Sequence, residues 1–228
     1  MKNQRYLSIV FDTIIKPHEI PAFRGAIAQK VGFDKDVFHN HRSDGSFYYR
    51  YPLIQYKQFG RHPGIICLDH SIDEIHHLFS KNKNTISISG RNIELKVKEL
   101  TLKTLELELT KNPIEYKVSR WMALSQKNHG IFSQKNTIED KIDMLERILS
   151  GNILSFAKGI EWWLAERFNL EILEVINENW VRNKNTKVKT FDLIFHTNIT
   201  LPPFIGLGKG ASRGFGVIHT INQPELTI

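Results

Sequence analysis

Near its carboxyl end the chain carries the segment Pro202-Pro203-Phe204-Ile205-Gly206-Leu207-Gly208-Lys209-Gly210-Ala211-Ser212-Arg213-Gly214-Phe215-Gly216-Val217. Five glycines lie within eleven residues of this glycine segment, and Lys209 and Arg213 stand among them. Glycine adopts positive φ without steric cost and leaves backbone N–H groups unshielded, which suits contacts with phosphate groups. The pattern therefore predicts either a phosphate-binding loop or a wide turn between two strands.

The glycine segment formally contains the dinucleotide-binding pattern G-x-G-x-x-A, from Gly206 to Ala211. A Rossmann turn must be followed by a helix, a second strand and an acidic residue about 20 positions on, and the sequence after Ala211 is too short to hold them. The chain has no Gly-Lys-Ser or Gly-Lys-Thr run either. We therefore expect neither a Rossmann nor a Walker nucleotide site.

A basic stretch precedes the glycine segment. It contains Arg182, Lys184, Lys187 and Lys189, with Asp192 as the opposing charge. The 228-residue chain as a whole has 31 Lys and Arg against 24 Asp and Glu, a net charge of +7. This balance favours a polyanionic partner such as a nucleic acid, although edge-strand lysines that discourage aggregation would look the same.

Composition excludes several classes of protein. Cys67 is the single cysteine, so an intrachain disulfide, a thiolate zinc site and an iron–sulfur cluster are not expected. No apolar run approaches the roughly 20 residues that cross a bilayer, and the amino-terminal residues lack a signal-peptide cleavage pattern. We expect a cytoplasmic protein that does not associate with membranes.

The first half of the chain predicts a ferredoxin-like β-α-β-β-α-β order. Its elements are a strand at 6–11, a helix at 20–31, a hairpin at 47–59 and 65–68, a helix at 71–79 that begins with a Ser71/Glu74 capping box, and strand residues at 86–97.

The run Lys111-Asn112-Pro113 interrupts the strand pattern, so the predicted domains are 1–112 and 113–228. The second half begins with the same β-α-β-β order, but the glycine segment occupies the place of its last helix. Within it, Thr137 and Asp140 cap a helix that is predicted to break at residues 150–152. The sequence thus predicts an α+β protein of two tandem ferredoxin-like (RRM-like) domains.

Two histidines one residue apart, His39 and His41, lie in an irregular segment that leads to Tyr48, Tyr49 and Lys57. Imidazoles titrate near pH 6.5, so a pair of them can act as general base and general acid without a metal ion.

Other interpretations of this pair stay open. His-x-His is also a metal-ligand spacing, which here would need further ligands from Asp34, Asp36 or Asp44. The two histidines could equally be ordinary surface residues.

The glycine segment, ending in Arg213-Gly214-Phe215-Gly216-Val217 behind two ferredoxin-like halves, resembles that of CRISPR-associated endoribonucleases of the RAMP superfamily. These enzymes cut repeat RNA to produce guide RNAs. The run Phe38-His39-Asn40-His41 is similar to the subgroup with paired histidines in the N-terminal half. The resemblance covers essentially the whole chain.

The resemblance implies metal-independent and cofactor-independent cleavage of CRISPR repeat RNA, leaving a 2′,3′-cyclic phosphate and a 5′-hydroxyl. It assigns catalysis to His39 and His41, in unassigned order as base and acid. The implied helpers are Tyr48 or Tyr49 and Lys30 or Lys57.

RNA binding is expected on the glycine segment and the basic stretch, at Gly206, Gly208, Lys209, Gly210, Arg213, Gly214, Gly216, Arg182, Lys184, Lys187 and Lys189. The expected partner is CRISPR repeat RNA, and both association with other CRISPR effector-complex subunits and a homodimer stay open. The alternative function is a non-catalytic RNA-binding RAMP subunit of a CRISPR ribonucleoprotein, which would use the same surfaces without the histidine chemistry.

Overall fold

The computed structural model describes residues 1–38, 50–80, 84–183 and 186–221. Within these ranges the chain forms two compact units. The first consists of residues 3–106 and Ser212–Gly214, and the second of Met1–Lys2, Leu107–Ala211 and residues 215–221. Residues 107–112, assigned to the first domain from the sequence, lie in the second unit because a strand already begins at Leu109.

The first unit is built on one four-stranded sheet. Its elements are β1 (Lys2–Phe11), α1 (Ile20–Val31), β2 (Ile54–Phe59), β3 (His62–Leu68), α2 (His76–Phe79), the hairpin β4 (Thr85–Ile88) and β5 (Arg91–Glu94), and β6 (Val97–Leu107). The strand order is β2-β3-β1-β6, with β3 antiparallel to both β1 and β2. This order is the ferredoxin-like arrangement that the sequence predicts.

The core of the first unit lies between this sheet and α1. Buried residues recur on α1 at helical spacing, including Phe23 and Ile27, and they cover one face of the sheet. Phe23 makes edge-to-face contacts with Phe11 of β1 and Tyr56 of β2, each with ring centroids 5.8 Å apart. These contacts fix β2 against α1.

The predicted capping box at Ser71 forms a different local structure. The Ser71 hydroxyl donates to the Leu68 carbonyl (2.7 Å) and accepts from the Leu68 N–H (3.0 Å), which closes a 3₁₀ helix at Asp69–Ile75. Only His76–Phe79 continues as α-helix, so the predicted helix is shorter than its pattern indicates.

The second unit repeats the arrangement with one helix fewer after its third strand. Its elements are β7 (Leu109–Trp121), α3 (Gln126–Ser133), α4 (Ile138–Gly159), β8 (Leu170–Asn183), β9 (Thr186–Ile199) and β10 (Val217–Thr220). The strand order is β10-β7-β9-β8, again ferredoxin-like. The glycine segment connects β9 to β10 without a helix, which agrees with the sequence prediction.

Helix α4 begins as predicted but does not break. The Thr137 hydroxyl accepts a hydrogen bond from the Asp140 N–H (3.1 Å), which satisfies a free donor of the first turn. The predicted break at residues 150–152 is wrong, because Gly151 stays helical and Asn152 accepts a hydrogen bond from Trp121 Nε1 (2.9 Å). No helix of the described residues is long and apolar enough to cross a membrane.

Candidate functional site

The glycine segment is a compact loop with its own hydrogen bonds. The Leu207 N–H donates to the Gly216 carbonyl (2.8 Å), and the Gly216 N–H donates to the Arg120 carbonyl (3.2 Å). Gly208 and Gly216 have φ of +75° and +62°, and a β-carbon there would collide with Asn152 Oδ1 and with the Leu207 carbonyl, respectively. The glycines are thus required for the loop to fold.

The other glycines of the segment are similarly enclosed, since Gly206 and Gly214 are buried and a β-carbon at Gly210 would meet Met122 and Phe215. The two cationic side chains of the segment are more accessible, because Lys209 is exposed and Arg213 is half-buried. RNA contacts by the glycine segment are therefore expected chiefly from these two side chains.

Residues Ser212–Gly214 extend the sheet of the first unit. The Tyr56 N–H donates to the Ser212 carbonyl (3.2 Å), and Arg213 pairs with Tyr56 in a parallel bridge. Burial lowers the pKa of the Arg213 guanidinium. The pKa of Arg24, on α1, is likewise lowered by burial and additionally by the charge of Arg213. The guanidinium groups of Arg213 and Arg24 therefore lie near the strand that holds Tyr56, and Arg24 was not predicted from the sequence.

Buried residues lie on both sides of residues 39–49, the segment that carries most of the predicted catalytic residues. His39, His41, Tyr48 and Tyr49 lie outside the described residues. On one side, the carbonyl of Phe38 accepts a hydrogen bond from the Tyr56 hydroxyl (3.0 Å). On the other side, the Tyr51 hydroxyl accepts from Gln55 Nε2 (2.8 Å). Phe38 and Tyr51, on either side of residues 39–49, thus each form a hydrogen bond with a side chain of β2.

The two lysines expected to help catalysis lie in different environments. Lys30 is half-buried in the last turn of α1. Lys57 of β2 is fully buried, and desolvation lowers the pKa of its amino group from 10.5 to about 7. Lys57 is therefore largely neutral above neutral pH, whereas Lys30 retains access to solvent.

The basic stretch lies on the β8–β9 hairpin. Directly paired residues of antiparallel strands share a face, and here Trp180 pairs with Lys189 and Arg182 pairs with Lys187. Lys184 lies outside the described residues. Lys189 also forms an ion pair with Glu178, with 2.7 Å between Nζ and Oε2.

The structure brings cations of the basic stretch and of the glycine segment together. Lys187, Lys189 and Lys209 line one cavity of about 460 Å³ within the second unit. Arg182 shares their sheet face but is not among the lining residues. Within residues 1–38, 50–80, 84–183 and 186–221, no group of three or more His, Cys, Asp or Glu side chains is placed to hold a metal ion.

Crystal structures of Cas6b, a class of CRISPR-associated protein, share the fold of this chain. A crystal structure of Cas6b has a TM-score of 0.88 and 27% identity, covering 96% of this chain and 100% of that one. A crystal structure of the CRISPR RNA processing endoribonuclease Cas6b has a TM-score of 0.73 and 24% identity with the same coverage. A RAMP protein that binds different RNA substrates shares the fold, with a TM-score of 0.51, 13% identity, and 97% and 100% coverage.

The sequence itself identifies the particular family. Residues 2–106 match the Cas6b N-terminal domain, and residues 108–221 match the Cas6b C-terminal domain. The protein MJ0978 of Methanocaldococcus jannaschii is 34% identical over 120 residues, which are 52% of this chain and 80% of that protein. The chain therefore belongs to the Cas6b family of CRISPR RNA-processing endoribonucleases. The resemblance seen in the sequence is confirmed.

Proposed function

We propose that this protein cleaves CRISPR repeat RNA without a metal ion or cofactor, by attack of a ribose 2′-hydroxyl on the neighbouring phosphate. One observation carries the proposal. Tyr56 binds the carbonyl of Phe38, the residue before His39, and its backbone pairs with Arg213 of the glycine segment. A cation of the glycine segment and the start of the histidine segment are thereby attached to the same residue.

The chemistry needs two proton transfers. One imidazole, from His39 or His41, removes the proton of the 2′-hydroxyl, whose oxygen then forms a bond to phosphorus. The bond from phosphorus to the 5′-oxygen breaks, and the other imidazole donates a proton to that oxygen. The products are a 2′,3′-cyclic phosphate and a 5′-hydroxyl, and the reaction needs no oxidant or reductant.

Negative charge on the phosphate must be stabilised as the new bond forms. Arginine remains protonated at neutral pH and binds phosphate oxygens with paired N–H donors, so Arg24 and Arg213 suit this role. Among the other expected helpers, Lys30 has solvent access, while Lys57 would need to become accessible before it could touch RNA. Tyr48 or Tyr49 would supply a hydroxyl donor.

The decisive experiment is single-turnover cleavage of labelled repeat RNA in EDTA, followed by mapping of the product ends. We expect one cut that leaves a cyclic phosphate, and no cut when the nucleotide at that position is 2′-deoxy. General acid–base help from histidine is worth about 10²–10⁴-fold, so His39→Ala and His41→Ala should slow cleavage by that factor and leave the Kd unchanged. His70→Ala, at an exposed histidine, is the matched control.

Two results would contradict the proposal. Wild-type rates for both variants would remove the histidines from the mechanism. RNA that is shifted in a gel by the wild-type protein but never shortened would identify a non-catalytic RNA-binding RAMP subunit instead.

A further inference from the structure

The cavity shared by the basic stretch and the glycine segment has the size of a small-ligand site. Its volume of about 460 Å³ falls within the roughly 300–1,000 Å³ of known ligand pockets. Side chains of three structural elements line it: His129 from α3, Trp180 and Lys187 from the β8–β9 hairpin, and Lys209 from the glycine segment. All of these residues belong to the second unit.

Trp180 presents a supported aromatic surface in this cavity. The side chain is 56% exposed, an unusual state for so large an aromatic residue. It is nevertheless supported: the His129 ring lies 5.4 Å from it between centroids at an angle of 54°, and Lys189 Nζ lies 5.7 Å from its centroid. Lys189 is itself held by its ion pair with Glu178. The Trp180 ring is thus positioned before any ligand binds.

The charge around this ring is positive. Lys187 and Lys209 are exposed and line the same cavity, and none of its described lining residues is acidic. An exposed indole between lysines matches a ligand that combines a flat aromatic group with negative charge. A nucleotide has both, because every base has a π-face and every phosphate a charge.

We propose that this cavity binds an unpaired nucleotide of the RNA, with its base stacked on Trp180 and its flanking phosphates at Lys187 and Lys209. This proposal deepens the proposed function, since it assigns a single-stranded part of the RNA substrate to this cavity. A base within a duplex is covered by its neighbours, whereas an unpaired base is free to stack on an aromatic side chain. The site therefore contributes affinity for single-stranded RNA.

A binding assay that does not depend on cleavage tests the site. The probes are a single-stranded RNA decamer containing 2-aminopurine, whose fluorescence falls when the base stacks, and a blunt RNA duplex. Stacking on one aromatic residue is worth about 1–3 kcal/mol per base, so Trp180→Ala should raise the Kd for the decamer about 5- to 150-fold and abolish the fluorescence decrease. Trp180→Phe should retain most of both signals.

Trp163 offers a matched control, because it is 89% exposed and is not among the residues that line the cavity. Trp163→Ala should bind the decamer with wild-type affinity, and Trp180→Ala should leave duplex binding unchanged. Lys187→Gln and Lys209→Gln should each reduce the slope of log K against log salt by about 0.7 for single strands. Equal decamer affinity for Trp180→Ala and Trp163→Ala would overturn the proposal, as would an equal loss of duplex and decamer binding by Trp180→Ala.

The two proposals fail separately. With repeat RNA, Trp180→Ala should raise the protein concentration that gives half-maximal single-turnover cleavage, because stacking there contributes to binding. An unchanged half-maximal concentration would contradict the assignment of the cavity to binding. Failure of the histidine variants to slow cleavage would overturn the proposed mechanism and leave the decamer results in force.

Discussion

Replacing Lys57 with methionine should shift the stability of the protein relative to wild type more favourably at low pH than at high pH. Methionine has a similar length and buries no charge, while the Lys57 amino group is fully buried with a pKa lowered from 10.5 to about 7. Between these two pH values an unfolded chain carries the proton and the folded chain does not, so the stability of the wild type rises with pH across this window. Below pH 7 both states carry the proton, and the full cost of burying the charge remains.

The size of the effect follows from the pKa shift. Each pH unit in the window is worth about 1.36 kcal/mol, so the shift from 10.5 to about 7 corresponds to about 5 kcal/mol in total. Between pH 6 and pH 9 roughly two units of the window are crossed. The stability advantage of Lys57→Met over wild type should therefore be about 3 kcal/mol larger at pH 6 than at pH 9.

Urea unfolding of both proteins at pH 6, 7.5 and 9 measures this difference. The contributions of all other titrating groups to the pH dependence are the same in both proteins and drop out of the difference. Lys209→Met makes the same chemical change at an exposed lysine and is the matched control. A pH-dependent effect of equal size in this variant would mean that the effect at Lys57 does not come from burial. A Lys57→Met advantage that is the same at pH 6 and pH 9 would contradict this prediction, since it would mean that Lys57 keeps an ordinary pKa in the folded protein.

Four further substitutions test the glycine segment, α4 and the candidate site. Gly208→Ala places a β-carbon against Asn152 at a φ of +75° and should lower the free energy of unfolding by about 1–3 kcal/mol. Gly151→Ala, which has open space around it in α4, should raise the free energy of unfolding by about 0.5–1 kcal/mol. Urea unfolding measures both values, and equal effects of the two substitutions would contradict the predicted strain at Gly208. Tyr56→Phe removes the hydrogen bond to the buried Phe38 carbonyl and should lower the free energy of unfolding by about 1–3 kcal/mol. An unchanged urea midpoint would mean that this hydrogen bond does not stabilise the folded protein. Arg24→Gln should reduce the salt-dependent slope of RNA binding by about 0.7 on single strands, and an unchanged slope would mean that Arg24 contacts no phosphate.

The order of helices and strands along the chain could be predicted from the sequence, because the alternating and helical patterns that indicate them are local. The continuity of α4 could not, because glycine and asparagine at residues 151 and 152 weaken a helix by propensity alone. In the folded protein the stripe around Leu149 and Ile153 is buried, and Asn152 binds the indole of Trp121 from β7. These tertiary interactions outweigh a local cost of about 1 kcal/mol.

Only part of the candidate site could be predicted from the sequence. Glycines and cations close together in the chain indicated the glycine segment and the basic stretch. Arg24 gave no local signal, because a single arginine on an amphipathic helix looks like a solvent-facing residue. Its nearness to Arg213 depends on a pairing between β2 and a loop far away in the chain. Trp180 gave no local signal either, because its place in the site depends on a contact with His129, which is far away in the chain.

Binding and chemistry should respond to different substitutions in this protein. A stacking contact made equally with the bound substrate and with the transition state lowers Kd without changing the rate of the bound complex. A proton transfer exists only in the transition state, so its loss lowers the rate and leaves Kd unchanged. Trp180 and the histidines should thus give opposite signatures, whereas Arg24 and Arg213, which we propose as ligands of the reacting phosphate, should change both quantities. Such a split would separate the residues that select RNA from those that cut it.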